Sequence, residues 1–147
     1  MIDFDTTIAW IHGDNLSPVQ PALTGAYAGV PAIWVWDEAL LAQWQISTKR
    51  LVFIYECLLE LPVTIRRGDV ATEVVAFAHE HNAGHIVTSD SPGPRFRQAC
   101  RAISHGMPGG SRLEVLKPQP FVDLGNDALD LKRFSRYWRT VKDLVLR

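Results

Sequence analysis

Near its amino end the chain reads Trp10-Ile11-His12-Gly13-Asp14-Asn15-Leu16-Ser17-Pro18. An apolar strand ending near Ile11 runs into a Gly-Asp-Asn turn, and a helix is predicted to start near Pro18. In α/β proteins, ligands collect where strands end and helices begin, because free backbone N–H groups and the positive end of a helix converge there. This stretch therefore predicts an α/β fold and the sheet edge where a binding site would lie.

The composition is that of an ordinary globular protein. The 147 residues fit one domain, with 47% hydrophobic and 21% charged residues. A formal net charge of −1 gives no global electrostatic argument for nucleic acid or an anionic membrane. No apolar run approaches the roughly 20 residues that span a bilayer, and residues 1–5 hold two acids and no basic residue. We expect a soluble cytoplasmic protein.

Predicted strands and helices alternate along the chain. Strands are expected at about 7–11, 31–36, 62–66, 85–89 and 112–116. Helices are expected at four places: at about 19–28, directly after a Ser47 cap, between an Asp69 cap and a Gly84 terminator, and around 96–103. Residues 37–46 are expected to form a connecting segment. Apolar residues recur at helical spacing along the second of these helices: Leu51, Ile54, Tyr55, Leu58 and Leu59. The pattern predicts a Rossmann-like, doubly wound parallel sheet of five strands in three layers.

The carboxyl end differs from the rest. Residues 118–127 are loop-like, and an amphipathic helix begins near Asp130, so residues 1–117 form the α/β unit and residues 118–147 a loop and a basic helix. Aromatic and basic side chains interleave along this helix, a pattern that suits either a phosphate backbone or an acidic partner groove. An amphipathic helix docked on its own domain gives the same pattern. The candidate contacts are Lys132, Arg133, Arg136 and Arg139.

Several sequence motifs of nucleotide-binding proteins and hydrolases are absent. It contains no phosphate-binding loop, no G-x-G-x-x-G after the first strand and no G-x-S-x-G nucleophile elbow. The five histidines are not spaced as metal ligands, so we predict no metal site and no catalytic residue. Cys57 and Cys100 lie in separate predicted helices and are interpreted as reduced thiols.

The candidate ligand site is the carboxyl edge of the sheet. Strands one and four are commonly adjacent where the strand order reverses, so polar residues after each strand would face one crevice. The alternative interpretation is that these residues are helix caps and turn formers, a role that Asn, Asp and Ser fill well. The site residues are His12, Asp14, Asn15 and Ser17 after strand one, with Ser89 and Asp90 after strand four.

Three motifs resemble the DNA photolyase/cryptochrome family. Gly13-Asp14-Asn15-Leu16-Ser17 with Pro21-Ala22-Leu23 resembles the start of the family's α/β domain. The first five of these residues are also similar to the Gly-Asp-Gln-Leu-Ser start of the bacterial photolyase-related branch. Residues 47–61 resemble the family's Ser…Arg…Phe…Leu…Leu helix. Residues 65–69 with 74–78 resemble its strand-Gly-Asp-helix unit. The resemblance covers about residues 6–105, although of the family's Arg-Arg-Asp-Leu-Arg turn only Asp14 remains.

The resemblance implies an α/β antenna domain standing alone. In the family, a larger helical domain binds FAD and carries the photochemistry, so the resemblance implies neither FAD nor light-driven repair by this chain. The family's α/β domain holds a folate or deazaflavin antenna chromophore near the carboxyl edge, which implies a similar ligand and a separate flavoprotein acting in trans. The five tryptophans are interpreted as core packing rather than an electron relay.

Three functions follow as hypotheses. The leading one is a binding module for a nucleotide-like or pterin/flavin-like molecule at the carboxyl edge. The second is a nucleic-acid-binding or protein-interaction module that uses the basic carboxyl-terminal helix, which could also cover an exposed surface or mediate self-association. The third is an enzyme acting on a nucleotide, with Asp14 and Asp90 as acid and base.

Overall fold

The computed structural model describes residues 3–120, 130 and 132–146. Five parallel strands form one sheet in the order β3-β2-β1-β4-β5. The strands are β1 (Asp3–Ile11), β2 (Ala32–Asp37), β3 (Val63–Gly68), β4 (Ala83–Ser89) and β5 (Arg112–Leu116). The predicted Rossmann-like, doubly wound sheet is confirmed, and β1 and β4 are neighbours at the point where the strand order reverses.

Five α-helices accompany these strands among the described residues. They are α1 (Glu38–Gln43), α2 (Thr48–Leu59), α3 (Val70–Glu80), α4 (Pro94–Gly106) and α5 (Phe134–Val145). Ser47 caps α2 by accepting from Arg50 N, and Asp69 caps α3 by accepting from Thr72 N, both as predicted. Among the described residues, no helix is both long and apolar enough to cross a bilayer.

The two sheet faces have separate cores. On one face, α3 and α4 bring Val74, Phe77, Phe96 and Ile103 onto the strands. On the other face, Leu58 of α2 and Ala22 pack on Trp34 and Val87. β4 is buried along its whole length, as a central parallel strand covered on both faces must be.

The predicted helix at residues 19–28 is wrong. In its place are two single-turn 3-10 helices, Pro21–Leu23 and Gly25–Tyr27, separated by an extended Thr24. Gly25 has a φ of 59° and Gly29 a φ of 81°, and these left-handed conformations interrupt an α-helix. The first crossover therefore covers its part of the sheet with a compact loop.

Smaller corrections concern the edges of other elements. The segment at 37–46 contains α1, which Asp37 caps by accepting from Leu40 N at 3.1 Å. α3 ends before Gly84, because Asn82 takes the left-handed φ of 51° and Gly84 already belongs to β4. Of the apolar residues predicted on α2, Leu58 is buried but Tyr55 and Leu59 are exposed, so the apolar surface of this helix is wider than its core contact.

The carboxyl-terminal helix is confirmed as α5, and its Val141 is buried. Most of the loop predicted at 118–127 and the predicted helical residue Leu131 lie outside the described residues. The core-packing interpretation holds for Trp10 and Trp34, and Trp36 is partly buried against the core. It is wrong for Trp44, which is half exposed, and for Trp138, which is 36% exposed. Cys57 and Cys100 are free and half-buried, and burial raises the pKa of Cys100 to about 11.

Candidate functional site

His12 follows β1 and points into the sheet end rather than toward solvent. Its ring lies 5.5 Å from the Trp10 ring and 4.9 Å from the Phe96 ring, centroid to centroid. Its Nε2 donates to the backbone carbonyl of Ser89 at 2.6 Å, and its Nδ1 accepts from the backbone N–H of Asp14 at 3.3 Å. The imidazole is therefore packed between the ends of β1 and β4 and helix α4.

These two bonds fix the protonation state of His12. Nδ1 faces a donor, so only the neutral tautomer with its proton on Nε2 satisfies both partners. Burial lowers the pKa of His12 and outweighs the bond to Ser89 and the charges of Asp14 and Asp90, which raise it. At neutral pH, His12 is thus an uncharged side chain that links the end of β1 to the end of β4.

Asp14 joins the two loops that define the predicted crevice. Its Oδ2 accepts from the hydroxyl of Ser91, a buried residue in the loop after β4. The same hydroxyl accepts from the backbone N–H of Gly93 at 3.3 Å. The loops after β1 and β4 are therefore held directly together by their own side chains across the predicted crevice.

Asn15, Ser17 and Ser89 have internal partners. Asn15 Oδ1 accepts from Ser17 N at 3.2 Å, and Ser17 Oγ accepts from Val19 N at 3.3 Å, the side-chain turns that the alternative interpretation expected. Gln20 Nε2 donates to the carbonyls of Asn15 and Ser17 at 2.9 and 3.1 Å. Its Oε1 accepts from the buried Ser89 hydroxyl at 3.0 Å. These three predicted ligand residues serve mainly to shape the loop.

Asp90 is exposed beside the closed crevice. Its backbone N–H donates to Leu116 O at 2.8 Å, extending the pairing of β4 with β5. The structure thus brings His12, Asp14 and Ser89 to one place, as predicted, but of the six predicted ligand residues only Asp14 and Asp90 are exposed. Sequence reasoning missed Gln20 and Ser91, which connect these groups.

A second set of polar groups lies at the same sheet edge and was also missed. Asp37 ends β2, and its Oδ2 accepts from Arg95 Nη2 at 2.8 Å. The Arg95 guanidinium lies 5.5 Å from the ring centroid of Trp44, whose side chain is 50% exposed. Arg95 belongs to the first turn of α4, whose N-cap residue Gly93 provides no side-chain cap. A cation, an aromatic face and an uncapped helix start therefore meet here.

Asp37 could have been predicted as a site residue from the sequence. Asp37 stands directly after an apolar strand, so the rule that selected Asp14 and Asp90 also applied to it. The place of Trp44 could not be predicted from the sequence, because Trp44 follows α1 and the periodicity of residues 37–46 did not indicate a helix there.

A further polar cluster lies toward the amino ends of the strands. His85 on β4 is buried, its Nε2 donates to Glu114 Oε2 at 2.9 Å, and its Nδ1 accepts from the Thr7 hydroxyl at 3.0 Å. Tyr27 donates its hydroxyl to the same Glu114 oxygen at 3.1 Å. Burial first, and then the charge of Arg112, lowers the pKa of His85 against the opposing effect of Glu114. This cluster ties the first crossover to β5.

In the described residues, no three His, Cys, Asp or Glu side chains are grouped so that they could hold a metal ion. Comparison with known proteins finds no matching family model and no matching curated protein. The photolyase/cryptochrome resemblance therefore stays a prediction that rests on the sequence motifs.

Proposed function

We propose that this chain is a non-catalytic binding module for a planar, negatively charged heterocycle, nucleotide-like or pterin/flavin-like, at the carboxyl edge of its sheet. The observation that carries the proposal is the Trp44–Arg95–Asp37 arrangement. The half-exposed Trp44 ring offers a stacking surface on the side that the Arg95 guanidinium does not cover, and this guanidinium, which also pairs with Asp37, offers its remaining N–H groups to a phosphate or carboxylate. The carboxyl edge is also where α/β sheets bind their ligands.

Two further features support this position. The first backbone N–H groups of α4, left without a side-chain cap, favour an anionic group beside Arg95. The closed crevice at Asp14 and Ser91 directs the ligand toward the β2 side of this edge.

The proposal is tested by titrating the protein with FMN, folic acid and AMP while tryptophan fluorescence is recorded. We expect quenching with at least one of these probes, since a stacked ring lies against Trp44. Trp44→Ala and Arg95→Ala are expected to weaken binding about tenfold, the equivalent of about 1.4 kcal/mol. Arg101→Ala, which removes an exposed arginine farther along α4, should leave affinity unchanged.

Two outcomes would refute this function. One is the absence of binding by all three probes at millimolar concentration. The other is equal affinity in the wild type, Trp44→Ala and Arg95→Ala proteins, which would place the ligand elsewhere. Mass spectrometry of molecules released from protein purified from its native host identifies any natural ligand.

A second candidate function is docking to a protein partner through α5. Phe134 is 73% exposed and stacks on Trp138 with centroids 6.0 Å apart, and Leu144 to Leu146 are exposed as well. Of the predicted basic contacts, Arg136 is paired with Asp130 at 2.8 Å. Exposed apolar side chains favour a protein surface over a phosphate backbone.

By the family resemblance, this partner is a separate flavoprotein. A flavin-carrying helical domain of the photolyase type is expected to co-elute with the wild-type chain but not with Phe134→Asp. A DNA duplex is the competing probe. DNA binding that falls steeply with salt, and that Lys132→Ala and Arg139→Ala weaken, would favour the nucleic-acid alternative.

A further inference from the structure

The charges of α2 oppose the direction that its own dipole favours. Lys49 and Arg50 stand in the first turn, where the helix end is positive, while Glu56 and Glu60 stand at the end that is negative. All four side chains are exposed. Among the described residues, none of them takes part in a salt bridge. The chain therefore carries an unfavourable charge order on this helix without internal compensation.

The same helix exposes a large apolar surface between these charges. Phe53 is 63% exposed and Val52 about half exposed. Residues 52, 53, 56 and 60 follow Lys49 by three, four, seven and eleven positions. All five therefore lie on one face of α2, opposite the buried Leu58. Leu59 and Tyr55, both exposed, widen the apolar surface on one side. A contiguous apolar surface of this kind marks an interaction site.

We infer that α2 is a self-association surface on which two copies of the chain pair their α2 helices antiparallel about a two-fold axis. Val52 and Phe53 lie at the centre of the contact, and Lys49 of each copy faces Glu60 of the other. This register puts the axis between positions 54 and 55, so the two Phe53 side chains lie on either side of it, each beside Glu56 of the other copy. A two-fold contact is self-complementary, and an order of cation, apolar centre and carboxylate along one helix complements its own reversal.

The antiparallel pair also removes the conflict with the helix dipole. Each first turn, with Lys49 and Arg50, lies beside the negative carboxyl end of the other copy, and each Glu60 lies beside a positive amino end. A parallel pair would bring like charges together along the whole contact. The inference does not depend on the ligand at the carboxyl edge, because its residues are not those of that site.

Sedimentation velocity over a range of protein concentrations tests the apolar centre. The wild-type chain is expected to dimerise, and Phe53→Asp to stay monomeric while keeping its circular dichroism spectrum and unfolding midpoint. Val19→Asp places the same charge on an exposed apolar position outside α2 and should dimerise like the wild type. A wild-type monomer at about 1 mM, or a Phe53→Asp dimer of unchanged strength, would overturn the inference.

A charge exchange tests the antiparallel register. Lys49→Glu alone and Glu60→Lys alone each create two repulsive pairs in their own homodimer, so each should dimerise about tenfold more weakly. In an equimolar mixture, the carboxylate introduced at position 49 meets the amine introduced at position 60, and the native Lys49 meets the native Glu60. The mixture should therefore associate about as strongly as the wild type. A mixture no stronger than either variant alone would refute this register.

Discussion

Ser89 donates its hydroxyl to the side-chain carbonyl of Gln20 at 3.0 Å, and the two side chains are 0% and 3% exposed. The amide of Gln20 also holds the carbonyls of Asn15 and Ser17. One glutamine thus fills the space between the first loop and β4 that would otherwise be a ligand crevice. A buried group with so many partners stabilises the fold through satisfied hydrogen bonds.

Gln20→Ala is expected to lower the free energy of unfolding by about 1–3 kcal/mol, because Ser89 and two backbone carbonyls lose their partner. Urea denaturation of this variant, of Ser89→Ala and of the double variant measures the effect. The two single losses should not add, since both remove the same bond. Gln98→Ala, on the exposed surface of α4, is the control and should change stability by less than about 0.5 kcal/mol. Strict additivity would show that Gln20 and Ser89 act separately.

Stability should fall as the pH drops below about 6.5, the ordinary pKa of histidine. The pKa values of His85 and His12 are lowered in the folded state, chiefly by burial. The unfolded chain therefore binds more protons in this range, so stability is complete above pH 6.5 and is lost as the pH falls toward the folded pKa values. The slope is at most about 1.4 kcal/mol per pH unit for each histidine, the limit set by one bound proton.

Urea denaturation at a series of pH values between 8 and 5 measures this slope. His85→Gln should flatten it, whereas His105→Gln, on the exposed surface of α4, should not. The hydrogen-bonded carboxylates Asp69, Glu80 and Asp130 have lowered pKa values, so the stability that they contribute is present throughout this range and is lost only at lower pH. A flat profile from pH 8 to 5 would contradict the burial of neutral histidines.

Asp69→Ala is expected to cost about 1 kcal/mol of stability. The carboxylate accepts from Thr72 N at 2.9 Å and from the Thr72 hydroxyl at 2.7 Å at the start of α3. Asp69→Ser restores a side-chain acceptor at the cap and should recover most of the loss in a thermal melt. An equal loss in both variants would mean that the carboxylate acts by charge rather than as a cap.

Leu58→Ala and Phe53→Ala separate the two faces of α2. Leu58 is 1% exposed, so its truncation should cost about 2–5 kcal/mol through lost burial and a cavity. Phe53→Ala should change the stability of the monomer by less than about 0.5 kcal/mol. Denaturation at low protein concentration, where the monomer dominates, makes the comparison. Similar losses at both positions would show that Phe53 packs inside its own chain.

The sheet and most helices could be predicted because their signals are local. Residues 32–36 in β2 form the apolar run that a parallel strand covered on both faces requires. Ser47 and Asp69 lie directly before helical patterns and cap them. The failure at residues 19–28 was also local, since Gly25 and Gly29 adopt left-handed conformations that ordinary helical periodicity does not reveal.

The candidate site could be located from the chain order but not assembled. The end of β1 and the end of β4 meet because parallel strands with right-handed crossovers place their carboxyl ends at one edge. What each side chain does there depends on a partner remote in sequence. Gln20 reaches Ser89 across 69 residues, and Arg95 reaches Asp37 across 58.

Local composition and periodicity were thus enough for the architecture, for two helix caps and for the edge that carries polar groups. Only the folded chain showed that Ser89 is buried against Gln20, that Asp14 is joined to Ser91, and that Trp44 lies exposed beneath Arg95. The physical reason is that secondary structure follows from neighbouring residues. Whether a polar side chain is free to bind depends instead on long-range contacts, which form only when the layers pack.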